Sequence, residues 1–150
     1  DTSVLLYLLS TEPDKADRVE ELLQKSGAIS VQVLDEFTAV SMRKLALSLA
    51  ETREILSTVR SLCTTYSLTV ETHDRGIQVA QQYRFSLYDS MLVSSALLAG
   101  CKTLYSEDLQ RRQVIVDRKP DLLSQFQCHG RGIKVRYSRR KLRCRVRATK

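Results

Sequence analysis

The chain has 150 residues, 43% of them hydrophobic and 27% charged, which suits one globular domain with a buried core. No apolar run approaches the roughly 20 residues that span a bilayer, and no signal-peptide pattern opens the chain. The net charge of +7 joins two unlike pieces. Residues 1–128 hold 14 Lys and Arg against 17 Asp and Glu, a balance of −3, whereas 129–150 hold 10 Lys and Arg and no acid. The basicity is all tail, so the pI is no argument for nucleic-acid binding by the globular part itself.

In chain order, TSVLLYLLS (2–10) reads as a short, buried helix or helical turn, and DKADRVEELLQKSG (14–27) as an amphipathic helix stopped at Gly27. AISVQV (28–33) is short and β-branched and predicts a strand. A helix follows over 34–44, with Leu34, Phe37 and Ser41 on one face, and another over 47–62, burying Ile55, Val59 and Leu62. SLTV (67–70) predicts a second strand, followed by a helix over 72–83. A further helical stretch, YDSMLVSSALLAG (88–100), has Asp89 as its cap and Gly100 at its end. KTLYS (102–106) predicts a third strand and QVIV (113–116) an edge strand. Strands alternating with helices imply an α/β fold with a parallel sheet, whose function gathers at the carboxyl ends of its strands.

The cysteines, Cys63, Cys101, Cys128 and Cys144, form no CxxC pair, and only His73 and His129 are at hand. That argues against a zinc site and for a reduced, cytoplasmic protein. Asp1, Glu36, Asp89 and the Glu107/Asp108 pair fall where a strand ends or a helix begins. Taken singly, each has an ordinary explanation as a cap, a solvated helix residue or a turn residue. As a cluster at one sheet edge they would repel one another without a cation. A hard divalent ion with oxygen ligands, Mg²⁺ or Mn²⁺, is the chemical match, and phosphoryl chemistry its natural use.

DTSVLLYLL, SVQVLDEF and YDSMLVSSALLAGCKTLYSEDLQ together resemble the PIN-domain ribonucleases, and within them the VapC-type toxins of bacterial toxin–antitoxin pairs. The resemblance runs from Asp1 to about Val116 and is most specific over Tyr88–Gln110. It implies a three-layer α/β/α domain over residues 1–117 with a central parallel sheet. It also implies a metal-dependent endoribonuclease acting on single-stranded RNA. Carried over, the metal-site and catalytic acids are Asp1, Glu36, Asp89 and Asp108. Thr2 and Ser106 fall at hydroxyl positions that orient them, and Glu107 is a neighbour of the site. The partners implied are RNA, a VapB-like antitoxin and a second copy of the chain in a homodimer, with no membrane.

Two departures accompany the resemblance. The family has an apolar strand before its first Asp, so a missing or truncated first strand is expected here. Residues 118–150 lack the family's usual ending and read as an atypical basic tail, either disordered or the product of a frameshift. An RNA-binding arm is the functional alternative. A haloacid-dehalogenase-type phosphatase would need a second Asp at position 3, where Ser3 stands; a response-regulator receiver would need one after SLTV, where Glu71 stands. The remaining rival is a catalytically inactive PIN-like module that binds a protein partner or RNA without cutting.

Overall fold

The computed structural model describes residues 1–11, 13–107, 109, 114–116 and 132–136. Helix α1 (Thr2–Leu5) runs into a 3-10 turn (Leu6–Leu9), then α2 (Pro13–Leu23), β1 (Ala28–Ser30), α3 (Val31–Leu45) and α4 (Leu49–Leu62). β2 (Thr64–Tyr66), α5 (Val70–Tyr83), α6 (Leu87–Leu98) and β3 (Thr103–Tyr105) follow, with β4 (Val114–Val116) and β5 (Gly132–Arg136) beyond them. The order is the alternating one expected of an α/β chain, with most of the described residues in helices.

Side-chain spacing explains the main helices. In α3, Val33, Phe37, Ser41 and Leu45 recur every fourth residue and all are buried, Phe37 completely. The chain leaves α3 through Ala46, at φ 53°, where the Leu47 amide closes back on the Ser41 carbonyl at 3.2 Å. Ser48 then caps α4 in a reciprocal pair with Glu51, and Thr69 caps α5 in the same way with Thr72. Helix α4 buries Thr52 and Val59, while Leu62, expected inside, is exposed.

Helix α6 is the central one. It buries Ser90, Leu92, Val93, Ser94, Ser95 and Ala96, and α5 packs closely on it. Ser94 Oγ donates to the Thr72 carbonyl at 2.8 Å, and a Cβ on Gly76 would stand 2.6 Å from the Met91 sulfur. The helix ends as expected at Gly100, whose φ of +68° suits a residue without a Cβ.

The strands form two ladders. β1 and β2 pair in parallel, with Ser30 opposite Tyr66. β5 lies between β3, to which it is parallel, and β4, to which it is antiparallel, so β4 is the edge strand expected at 113–116. β1 and β3 belong to different ladders and are not hydrogen-bonded to each other. A cavity of about 160 Å³, lined by Ile29, Val33, Leu92, Ala96 and Leu104 among others, includes residues of both strands in its wall.

Several local expectations are corrected. The second strand is 64–66, not 67–70, because Thr69 is committed to capping α5 and Val70 is already helical. β1 stops at Ser30, and Val31 opens α3. Ser26, at φ 56°, makes the turn after α2, not Gly27, whose carbonyl accepts from the Thr64 amide at 2.9 Å beside the β1–β2 ladder. Within the segment expected to lack regular structure, Gly132–Arg136 form β5; the other residues of 118–150 lie outside the described ones.

The α5–α6 contact gives a stability prediction. Gly76→Val places branched carbons against Met91 and should lower the unfolding free energy by about 1–3 kcal/mol in urea titration. Gly76→Ala should be much milder, since the Met91 side chain can shift and alanine favours a helix by about 1 kcal/mol.

Candidate active site at the chain start and the end of β3

Asp1 is the N-cap of α1: its Oδ1 accepts from the Ser3 amide at 3.2 Å. Its other oxygen, Oδ2, accepts a short hydrogen bond from the Ser106 hydroxyl. Ser106 is buried at the end of β3 and also accepts from the Leu109 amide at 3.4 Å, which fixes the turn around Glu107. One hydroxyl therefore ties the Asp1 carboxylate to the turn that follows β3.

Glu36 joins from the second turn of α3. Buried Thr2 donates its hydroxyl to Glu36 Oε2 at 2.8 Å, so consecutive residues serve two acids: Asp1 is one and Thr2 holds the other. Burial pushes up the thiol of Cys63, which lines a cavity together with Asp1, so it stays neutral and is a poor ligand for a hard cation.

Glu107, half-buried, accepts a short hydrogen bond from the hydroxyl of Tyr7, and the Lys15 ammonium lies 5.3 Å from the Tyr7 ring centre. Tyr7 is 2% exposed, so the contact fastens the 3-10 turn to the loop after β3. Nothing in the sequence pattern marked Tyr7; it reads as one more apolar member of TSVLLYLLS.

Asp89 is placed differently from its expected role as a helix cap. Ser86 is the N-cap of α6, and Asp89 sits three residues inside, its Oδ2 accepting from the Ser86 hydroxyl at 2.7 Å while its amide donates back to Ser86 Oγ at 3.1 Å. Asp108 lies outside the described residues.

The structure thus brings together Asp1, Thr2, Glu36 and Ser106, with Glu107 beside Ser106, and holds Asp89 through its own helix start. No basic side chain among the described residues pairs with Asp1, Glu36 or Asp89; hydroxyls and backbone amides are their partners. This donor set, carboxylate and hydroxyl oxygen with no His or thiolate, is of the type a hard divalent cation takes. Among the described residues, no three acidic, His or Cys side chains stand together as a metal-holding group.

Short parallel strands between helices, with Asp1 tied to the residue after β3 and Glu36 tied to Thr2, define a small α/β domain. The sequence model of the PIN domain matches residues 1–115, most of the chain, and the chain belongs to the PIN domain family. No curated protein is significantly similar to it. Among solved structures, it is similar to a chain of a toxin–antitoxin complex from Klebsiella pneumoniae: TM-score 0.57, 18% identity, covering 72% of this chain and 83% of that one. It is also similar to a chain of VapBC2 from Rickettsia felis, bound to a DNA fragment from their promoter: TM-score 0.54, 20% identity, covering 72% and 85%. At such identities the likeness is one of fold. That fold is the expected three-layer α/β/α one, with its small sheet in two parts.

The Ser106 link can be checked through stability. Ser106→Ala strips Asp1 of its hydroxyl donor and the Leu109 amide of its acceptor, and should cost about 1–3 kcal/mol in chemical unfolding. Unchanged stability would show that the link carries no weight.

Proposed function

We propose that the chain is a VapC-type toxin: an endoribonuclease that hydrolyses phosphodiester bonds of single-stranded RNA with the help of Mg²⁺ or Mn²⁺. The observation that carries this is the pairing of Asp1 and Glu36 through Thr2 and Ser106, inside a PIN domain, with hydroxyls as side-chain partners and no basic partner among the described residues. Two carboxylates held in this way keep oxygens for a cation. Asp1, Glu36, Asp89 and Asp108 are the residues that would hold it, with Thr2 and Ser106 fixing the orientation of two of them and Glu107 next to the site. The ion, when bound, supplies charge stabilisation at the phosphate. The chain's own part is to place the carboxylates: Thr2 and Ser106 restrict Glu36 and Asp1, and Tyr7 steadies Glu107. In the overall step, water adds to phosphorus, one P–O ester bond breaks, and the leaving oxygen takes up a proton.

The partners follow from the same site. A VapB-like antitoxin that inserts an Arg or Lys among the carboxylates would neutralise them in place of the cation. The solved structures most pertinent here are themselves a toxin–antitoxin complex and VapBC2. A homodimer and a cytoplasmic setting belong to this reading, and no helix among the described residues is long and apolar enough to cross a membrane. A second reading, a PIN-like module that binds a partner or RNA without cutting, is favoured by one observation: no three acids group together among the described residues.

Asp89→Asn separates the two readings. Asparagine keeps a carbonyl oxygen for the Ser86 hydroxyl, so the helix start should survive with near-parental thermal stability. RNA cleavage should fall by on the order of a hundredfold or more, because a hard cation loses a charged ligand. Asp108→Asn should behave alike, and Asp35→Asn should cut normally, its side chain being turned about 100° from that of Glu36 on α3. EDTA should abolish parental activity. Parental cleavage by Asp89→Asn, or indifference to EDTA, would sink the metal-nuclease reading.

The inhibitor is tested separately by co-expression with the product of the neighbouring upstream gene. A stable complex and suppressed toxicity are expected; no affinity for that product would count against the toxin reading.

A further inference from the structure

Three tyrosines stand beside candidate acids, two in a cavity wall with Asp1 and one next to Asp89 in the chain. Tyr66 is the last residue of β2, in register with Ser30 at the end of β1. Tyr105 is the last residue of β3 and immediately precedes Ser106, the donor to Asp1. Both line the cavity that Asp1 also lines, and they are 38% and 36% exposed, so each ring is only partly covered by its own fold. Tyr88 directly precedes Asp89 and is 78% exposed, and its backbone carbonyl is held by Gln32 Nε2 at 2.9 Å. Gln32 itself lies two residues past the end of β1, so Tyr88 is fastened to the same corner.

Charge is arranged around them in a particular way. Asp1 and Glu36 repel phosphate, so a polyanion reaching this site must be held by something other than the acids. β5 runs parallel to β3 and places Arg136 at the register position opposite Tyr105. A cationic residue type and an aromatic one are therefore register partners at the strand end that leads into Ser106, the donor to Asp1.

We propose that Tyr66 and Tyr105, flanked by Tyr88, form a stacking platform for unpaired bases of a single-stranded RNA, which carries the adjoining phosphodiester to Asp1 and Glu36. This rests on the nuclease reading above and adds to it the side chains that select the substrate class. Every base has a π face, so such a platform accepts many sequences. It rejects duplex, whose base faces are covered by stacking within the helix. Tyr66, Tyr88 and Tyr105 act by positioning substrate and take no part in bond breaking.

The test exploits the chain's own fluorescence, since it has six tyrosines and no tryptophan. Full-length parent, Tyr66→Leu, Tyr105→Leu and the corresponding Phe variants are titrated in EDTA with an unstructured oligoribonucleotide, and binding is followed by tyrosine quenching and by anisotropy of a labelled strand. Each Leu variant should bind on the order of tenfold more weakly, and each Phe variant within about twofold of the parent. The slope of log affinity against log salt should be the same for all, because no phosphate contact is removed. A duplex of the same sequence should not distinguish the variants. Leu variants that bind like the parent would overturn the platform, as would equal losses in Leu and Phe, or a loss confined to complex formation with a protein partner. Cleavage by the parent, with Mg²⁺ or Mn²⁺ restored, is scored apart. A parent that binds through the rings yet never cuts removes the nuclease reading and keeps the platform. A parent that cuts while its Leu variants bind normally does the reverse. No binding by the parent removes the platform.

Discussion

The hydrogen bond from Ser106 to Asp1 joins residues 105 positions apart, and the candidate site depends on it. Without it, α1 would be held at that end by its side-chain packing and by Thr2 on Glu36, and the turn after β3 would lose its acceptor for the Leu109 amide. The arrangement is economical in residue types. Hydroxyl groups donate to carboxylates without cancelling their charge, so orientation is fixed while the negative field is kept. A lysine or arginine in either hydroxyl position would have fixed the acids equally well and removed their attraction for a cation.

The packing beneath supports this corner from the rear. Helix α6 is lined by serines and an alanine where a larger residue would hold α5 away, and Ser94 bonds directly to an α5 carbonyl. Close helix packing leaves few alternative positions for the start of α6, where Asp89 and Tyr88 lie. Helix α3 does the same for Glu36: Val33 and Phe37 flank it in sequence and are both buried, so the helix cannot rotate without exposing them.

Much of this was legible in the sequence, for identifiable reasons. The fourfold spacing of Val33, Phe37, Ser41 and Leu45 reports a helix with one buried face, and the run from Leu92 to Ala96 reports a helix buried on most sides. The element order and the α/β class follow from such long signals. Three-residue strands carry no period, and so β2 was misplaced: the β-branched SLTV outweighs TTY locally, yet Thr69 is used by its side chain to start α5. Likewise Asp89 reads as a cap until Ser86, three residues earlier, is seen to fill that role. Asp1 and Glu36 were legible as acids at element boundaries, but their coupling through Thr2 was visible only through family likeness. The tyrosines carried no signal, because exposure at a strand end cannot be told from burial in so short a strand.

The unpaired edges of β1 and β3 have a bearing on how the molecule fails. Each strand has a ladder partner on one side only among the described residues, and an apolar cavity touches both. Partial loosening of this region would present unpaired backbone groups together with Ile29 and Leu104, the composition of a template for strand pairing between molecules. Heating would then trap loosened molecules in aggregates before they could reclose. Its thermal inactivation should be governed by protein concentration and heating rate, so that the molecule's durability is set by a rate of association.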